Sequence, residues 1–178
     1  MGFEQYHEPA GELSAETRTF ARMIASLTEE AEAIGWYAQR LALEPDAEAK
    51  AIMENAQQEE FKHFAMDLEF LIRRTPKWRA ALEKVLFREG DIVEHGEEAE
   101  EAEAIGWYEQ RLSLEKDPQA HAIMENAQQE EFKHFAMNLE FLARRNDKWR
   151  TVLQDVLFKE GDIVEHGEQA EDELDSET

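Results

Sequence analysis

Glu60 and His63 stand three residues apart in a stretch patterned as a helix. That spacing puts both side chains on one helix face, about 5–6 Å apart at Cβ. A carboxylate and an imidazole so placed can hold one metal ion together. Glu30 lies in the core-facing row of the preceding helix, with Met23, Leu27, Ile34, Tyr37 and Leu41. A charge in such a row is costly unless it is paired or bound to a cation. One helical hairpin therefore offers two carboxylates and an imidazole. Glu-x-x-His alone is a weak signal in a chain with 42 acidic residues, where a solvated pair is the ordinary outcome. The position of His63 between two apolar stripes, the core-row Glu30, and the aromatic pair Trp36 and Tyr37 all favour metal binding.

The elements that must position these residues are duplicated. Residues 29–99 align with 100–170 without a gap, and 16 of the 71 positions differ. Glu29–Tyr37 recurs unchanged as Glu100–Tyr108, and Ala51–Met66 as Ala122–Met137. The second copy thus repeats the triad as Glu101, Glu131 and His134. Two half-sites of this composition are what a di-iron carboxylate bundle uses, with a Glu from each of two helices and Glu-x-x-His from each of two others.

Ser14 is a candidate N-cap for a first helix running to about Leu43. Pro45 and Asp46 break it, and Asp46 starts a second helix that runs to about Arg74. Asp117 and Pro118 open the matching helix of the second copy. Third segments begin at Thr75–Pro76 and at Asn146, and are interrupted or ended by Gly90 and Gly96, and by Gly161 and Gly167. His95 and His166 in these segments read as exposed. No stretch alternates with period two for long enough to make a strand. The second helix carries one stripe of Phe61, Phe64, Ala65, Leu68, Leu71 and Ile72 and a second of Met53, Ala56, Glu60, His63 and Phe70. Two apolar stripes need more than one packing partner. The expected fold is all-α: antiparallel helical hairpins of the ferritin-like kind, with two copies forming a four-helix-bundle di-iron site and an extra helix after each hairpin. The expected division is 1–95 for copy 1, 96–170 for copy 2, and a frayed acidic tail over 171–178.

Composition narrows the function. The net charge of −23 opposes binding to nucleic acid and to anionic membranes and favours cations. With no cysteine, thiolate zinc sites, iron–sulfur clusters, disulfides and cysteine catalysis are excluded. No apolar run approaches the ~18 residues of a membrane span, and the N-terminus lacks signal-peptide regions. These features read as a soluble, cytoplasmic protein.

The chain resembles the encapsulated ferritins. The matching pieces are His7-Glu8-Pro9 and the following Glu-Leu-Ser; Glu29-Glu30-Ala31-Glu32-Ala33 running into Trp36-Tyr37 and Gln39-Arg40; and Glu59-Glu60 through His63. Ala65-Met66, Leu68-Glu69, Arg73-Arg74, Leu86-Phe87 and Glu89-Gly90 complete them. The match covers nearly all of residues 5–95 and again about 97–165. The resemblance implies a ferroxidase that oxidises Fe(II) with dioxygen for iron mineralisation or detoxification. It implies iron ligation by Glu30, Glu60 and His63, and by Glu101, Glu131 and His134, two irons being bound where two half-sites meet. Tyr37 and Tyr108 would approach the metal, and Trp36 and Trp107 would pack near it. Glu29, Glu32, Glu100 and Glu103 would form an outer metal-attracting site for calcium or another divalent cation. A homo-oligomer, ring-like or of lower order, and an encapsulin shell are the implied partners, with localisation in the cytoplasm or inside an encapsulin nanocompartment.

The family pattern has one hairpin per chain where this sequence has two. No Gly-Ser-Leu-Arg-like address for the shell follows Gly167. The connector over 75–98 would span about 36 Å if helical, so the two half-sites are expected to close within one chain, with pairing between chains as the alternative. The competing functions are a di-manganese or zinc site on the same architecture and a non-catalytic tandem scaffold, natural or engineered.

Overall fold

The computed structural model describes residues 8–98 and 111–176. Among these it is all helical. The helices are α1 (Ala15–Leu43), α2 (Ala47–Arg74), α3 (Pro76–Val85), α4 (Ile92–Glu98), α5 (Pro118–Ala143), α6 (Asp147–Val156) and α7 (Ile163–Ser176). No helix among the described residues is long and apolar enough to cross a membrane.

Local chemistry starts these helices where the sequence predicts. The Thr17 N–H donates to Ser14 Oγ at 3.0 Å. Asp46 Oδ1 accepts from the N–H groups of Glu48 and Ala49 at 3.0 and 2.9 Å, and Asp117 Oδ1 from Gln119 and Ala120 at 2.8 and 3.0 Å. Asn146 Oδ1 accepts from Trp149 at 3.0 Å. Each bond satisfies a first-turn donor that has no partner inside its helix. At Thr75 no side-chain cap forms, and Pro76 at the first helical position removes one such donor instead.

The chain packs as two units that do not follow the repeat. One comprises Met1–Ala25 and Leu71–Arg145, the other Ser26–Phe70 and Asn146–Thr178. In the first, α3 and α4 of copy 1 pack on α5 of copy 2. Trp78 stacks on Phe132 with ring centroids 4.7 Å apart, and Phe20 meets Trp78 edge-on at 5.2 Å. In the second, Trp149 of α6 stacks on Phe61 of α2 at 5.5 Å and meets Phe64 edge-on at 5.2 Å. The short helices of each copy thus cover the long hairpin helix of the other copy. The division expected between residues 95 and 96 separates the copies along the sequence, whereas the contacts obey this exchange.

A buried carboxylate anchors each exchanged segment. Glu69 and Glu140 are fully buried. Glu140 Oε2 accepts the N–H of Phe87 at 2.8 Å, and Glu69 Oε2 accepts that of Phe158 at 2.8 Å. Both phenylalanines hold positive φ, 62° and 65°, a backbone state that is unfavourable for a bulky residue. Arg144 donates to Glu140 Oε1 at 2.8 Å and to the carbonyl oxygens of Gly90 and Arg88, so the carboxylate, the guanidinium and the turn close one network.

Three sequence expectations are corrected. Gly96 and Gly167 lie inside α4 and α7 and do not break them. They are points of close approach: a Cβ on Gly167 would stand 2.5 Å from Met66 Sδ, and Gly96 faces Met137 in the same way. His95 is buried, 7% exposed, because α4 docks on α5. The C-terminal residues are helical as far as Ser176 and not frayed. Ala170 and Leu174, one turn apart, are buried. Glu171 pairs with the buried Lys62 of α2, which also meets Glu59 at 2.9 Å and Glu168 at 3.7 Å. Burial depresses the Lys62 ammonium, and hydrogen bonds to Glu171 and Glu59 outweigh that and raise it.

The anchoring carboxylates carry a prediction. Glu69→Ala and Glu140→Ala each remove a charged acceptor from a buried N–H, at a cost of about 1.5–3 kcal/mol. Thermal denaturation should show each melting roughly 3–12 °C below the parent. Glu69→Gln and Glu140→Gln retain an acceptor and should lose less. Equal losses for Ala and Gln would show that the acceptor is not what holds the segment.

Candidate metal centre

The hairpin of α1 and α2 has its register set by one buried amide. Gln57, 9% exposed, donates from Nε2 to the carbonyl oxygen of Ile34 at 3.0 Å. In an antiparallel pair this brings the turn before Ile34 opposite the turn after Gln57. Glu30 on α1 consequently faces Glu60 and His63 on α2. The ligating atoms of Glu30, Glu60 and His63 all lie within 4.8 Å of one another. His63 Nδ1 is 3.7 Å from Glu60 Oε2, with the His63 side chain 43% and the Glu60 side chain 23% exposed. The centre is half-open. His63 is not sunk between two packed stripes: Phe61, Phe64 and Leu68 are buried, whereas Met53, Ala56 and Phe70 on its own side are only partly covered.

Its electrostatics are dominated by two carboxyl groups brought close together. Burial, a hydrogen bond to Glu60 and the Glu60 charge, helped by Asp67 and Glu29, push the Glu30 carboxyl up to about 8. A carboxyl raised that far favours its protonated form at neutral pH, where it donates to Glu60 and two charges would otherwise repel. A divalent cation held by Glu30, Glu60 and His63 would take the place of that proton and be offered two hard oxygens and an imidazole nitrogen. This donor set suits Fe(II), and also Mn(II) and Zn(II).

The other expected residues are placed unevenly. Tyr37 is half-buried on α1, with the Arg40 guanidinium 5.7 Å from its ring centroid. Trp36 is 55% exposed, against the expectation that it packs. Two residues past the buried Ile34 is about 200° around the helix, which turns the indole outward. Glu29 and Glu32 are exposed. In the second copy Glu131 and His134 are exposed on α5. Glu100, Glu101, Glu103, Trp107 and Tyr108 lie outside the described residues. Among the described residues Glu30, Glu60 and His63 form the one group of this kind.

The sequence reading missed Asp67. It stands one turn beyond His63 on α2, and its charge acts on Glu30. Burial raises its carboxyl, while a hydrogen bond from Ser26 and the His63 charge oppose that. The signal was available: His63 and Asp67 are spaced i, i+4, and Asn138 replaces Asp67 in the copy.

The sequence matches the EncFtn-like family model over residues 5–89 and again over 97–160. This chain belongs to the EncFtn-like family. The EncFtn-like match occurs twice, as the repeat requires, and the family's ferritin-like helical fold agrees with the all-α architecture. A ferritin-like protein of Thermotoga maritima is 44% identical over 95 residues, covering 53% of this chain and 83% of that protein. An encapsulated ferritin-like protein of Rhodospirillum rubrum is 44% identical over 87 residues, covering 49% of this chain and 62% of that protein. No solved structure matches the chain.

The shared proton predicts a pH dependence. Glu30 has its folded pKa, about 8, above the ordinary 4.5. The metal-free fold binds that proton more tightly than the unfolded chain does. Its stabilising contribution is present below about 4.5 and is lost as pH rises through about 8. Melting in chelator should therefore show Glu30→Gln gaining on the parent between pH 5 and 8.5. A constant gap across that range would contradict the protonation of Glu30.

Proposed function

We propose that this chain is a ferroxidase, with Fe(II) as its substrate and dioxygen as the oxidant. The observation that carries the reading is the convergence of Glu30, Glu60 and His63 within 4.8 Å, and the raised Glu30 carboxyl supports it. Glu30 and Glu60 supply hard oxygens that favour Fe(III) over Fe(II) and so lower the cost of electron loss. Glu60 would serve as a shared ligand to the two ions, and His63 would hold one of them. By the repeat, Glu101, Glu131 and His134 are assigned as the matching half-site, and two such half-sites would together bind two irons. The overall reaction balances as two Fe(II), one dioxygen and two protons giving two Fe(III) and hydrogen peroxide. One of those protons is available from Glu30, which releases it when a cation binds.

Tyr37 and Tyr108 are assigned to hydrogen bonding or access at the centre. The exposed Glu29 and Glu32, with Glu100 and Glu103, are assigned to concentrating cations at the entrance. The −23 net charge supports that role by raising the local cation concentration. Homo-oligomers and an encapsulin shell are the proposed partners, the shell because the Rhodospirillum rubrum relative is an encapsulated ferritin-like protein. The cytoplasm, or the lumen of such a shell, follows as the proposed location. The exposed Trp36, Ile52 and Leu43 offer apolar surface for assembly.

Aerobic oxidation of Fe(II), followed in the near ultraviolet, tests the proposal. The parent should exceed buffer and saturate with iron, and Glu60→Ala combined with Glu131→Ala should fall to the buffer rate. A parent rate equal to buffer would end the enzymatic reading, and metal analysis of the same protein would then distinguish a manganese or zinc site from an empty scaffold.

A further inference from the structure

Asp67 has one carboxylate oxygen, Oδ2, that is buried and accepts no hydrogen bond. Such an oxygen is costly to keep, and sites of this kind usually have a purpose. The Ser26 hydroxyl on α1 bonds to the same carboxylate and fixes its position. Ser26 lies one turn before Glu30, and Asp67 one turn after His63. The pair therefore forms the next layer of the hairpin beyond the three candidate ligands. Imidazoles that ligate metal ions generally donate their other ring N–H to a carboxylate or carbonyl, which sets the ring's orientation and strengthens it as a ligand.

We propose that Asp67, held by Ser26, is a positioning residue for His63: its unpartnered oxygen receives the ring N–H turned away from the metal. The first half-site then binds a cation more tightly than the second. The proposal rests on the metal-centre reading above. The second copy has Asn138 at this position, exposed and uncharged, and by the same offset of 71 the place of Ser26 is taken by Glu97, also exposed. The stretch 51–66 is identical to 122–137, so the first difference after His63 falls on this residue. The two half-sites share their ligand types and differ in what stands behind the imidazole.

Anaerobic titration of the full chain with Co(II), followed by its visible absorption, tests this without turnover. The parent should bind in two distinguishable steps. Asp67→Asn should weaken the tighter step by about 10–100-fold, the usual range for losing such a partner. Melting in chelator separates positioning from structure, because Asp67→Asn replaces a buried charge and should melt no lower than the parent without metal. A parallel loss of stability and affinity would make the role merely structural and overturn the proposal. With zinc bound, a slowly exchanging ring N–H in nitrogen-15 histidine spectra should appear in the parent and vanish in Asp67→Ala. If Glu60→Ala removes a cobalt step while Asp67→Asn leaves both unchanged, the metal centre stands and this proposal falls. If the parent binds no cobalt, both fall.

Discussion

A backbone N–H at a residue with positive φ, buried against a carboxylate, is the constraint on which the packing turns. The exchanged segments end at Phe87 and Phe158, where the chain adopts a conformation that an L-residue avoids. Their N–H groups meet Glu140 and Glu69 of the opposite copy. A buried carboxylate without donors would ruin either unit, and a strained turn without an acceptor would relax. Together they make a contact that only one docking satisfies. The aromatic stacking of Trp78 and Trp149 supplies much of the buried apolar area but would tolerate sliding. The carboxylate bonds supply direction and thereby define where α3 and α6 sit along α5 and α2.

The metal centre depends on the same principle one level down. Its three candidate ligands come from two antiparallel helices, and a slip of one residue would rotate Glu30 about 100° away from Glu60. Apolar contacts along the hairpin do not forbid such a slip, since Ala and Leu positions are interchangeable within a stripe. Gln57 does forbid it, because its buried amide must find a carbonyl and Ile34 offers one. A register set by a polar group leaves the next two layers, Glu30 with Glu60 and Ser26 with Asp67, in fixed opposition. The high affinity of Glu30 for its proton follows from this placement: the fold brings two carboxylates together before any cation separates their charges.

Local features were legible in the sequence and non-local ones were not. Ser14, Asp46, Asp117 and Asn146 act within three residues of themselves, so spacing alone identified them as caps. Glu30, Glu60 and His63 were legible because a carboxylate in an apolar row is anomalous wherever the helix goes. The exchange of short helices between copies left no periodic trace, since α3 is equally amphipathic against either partner. Gly96 and Gly167 look like breakers in a linear reading and are close-approach points only because Met137 and Met66 pack there. Trp36 is expected to pack only because the resemblance to the encapsulated ferritins implies it. Its angular distance from Ile34 contained the correct answer. The terminal acids were read as frayed because nothing nearby in sequence neutralises them; their partner, Lys62, lies over a hundred residues away.

Duplication changes what substitution can achieve at a two-fold site. When two identical chains meet, every change behind a ligand occurs twice and the two ions must remain equivalent. A tandem chain removes that restraint, because each copy mutates alone. The 71-residue repeat preserves its ligand-bearing stretch without a difference from Ala51 to Met66, and departs at the next residue, where Asp67 meets Asn138. Donor identity is thereby kept while the environment of the imidazole diverges. On the proposal that Asp67 positions His63, two ions of unequal affinity would load in order. Sequential loading needs no new ligand, only one charge placed a helical turn beyond an existing one.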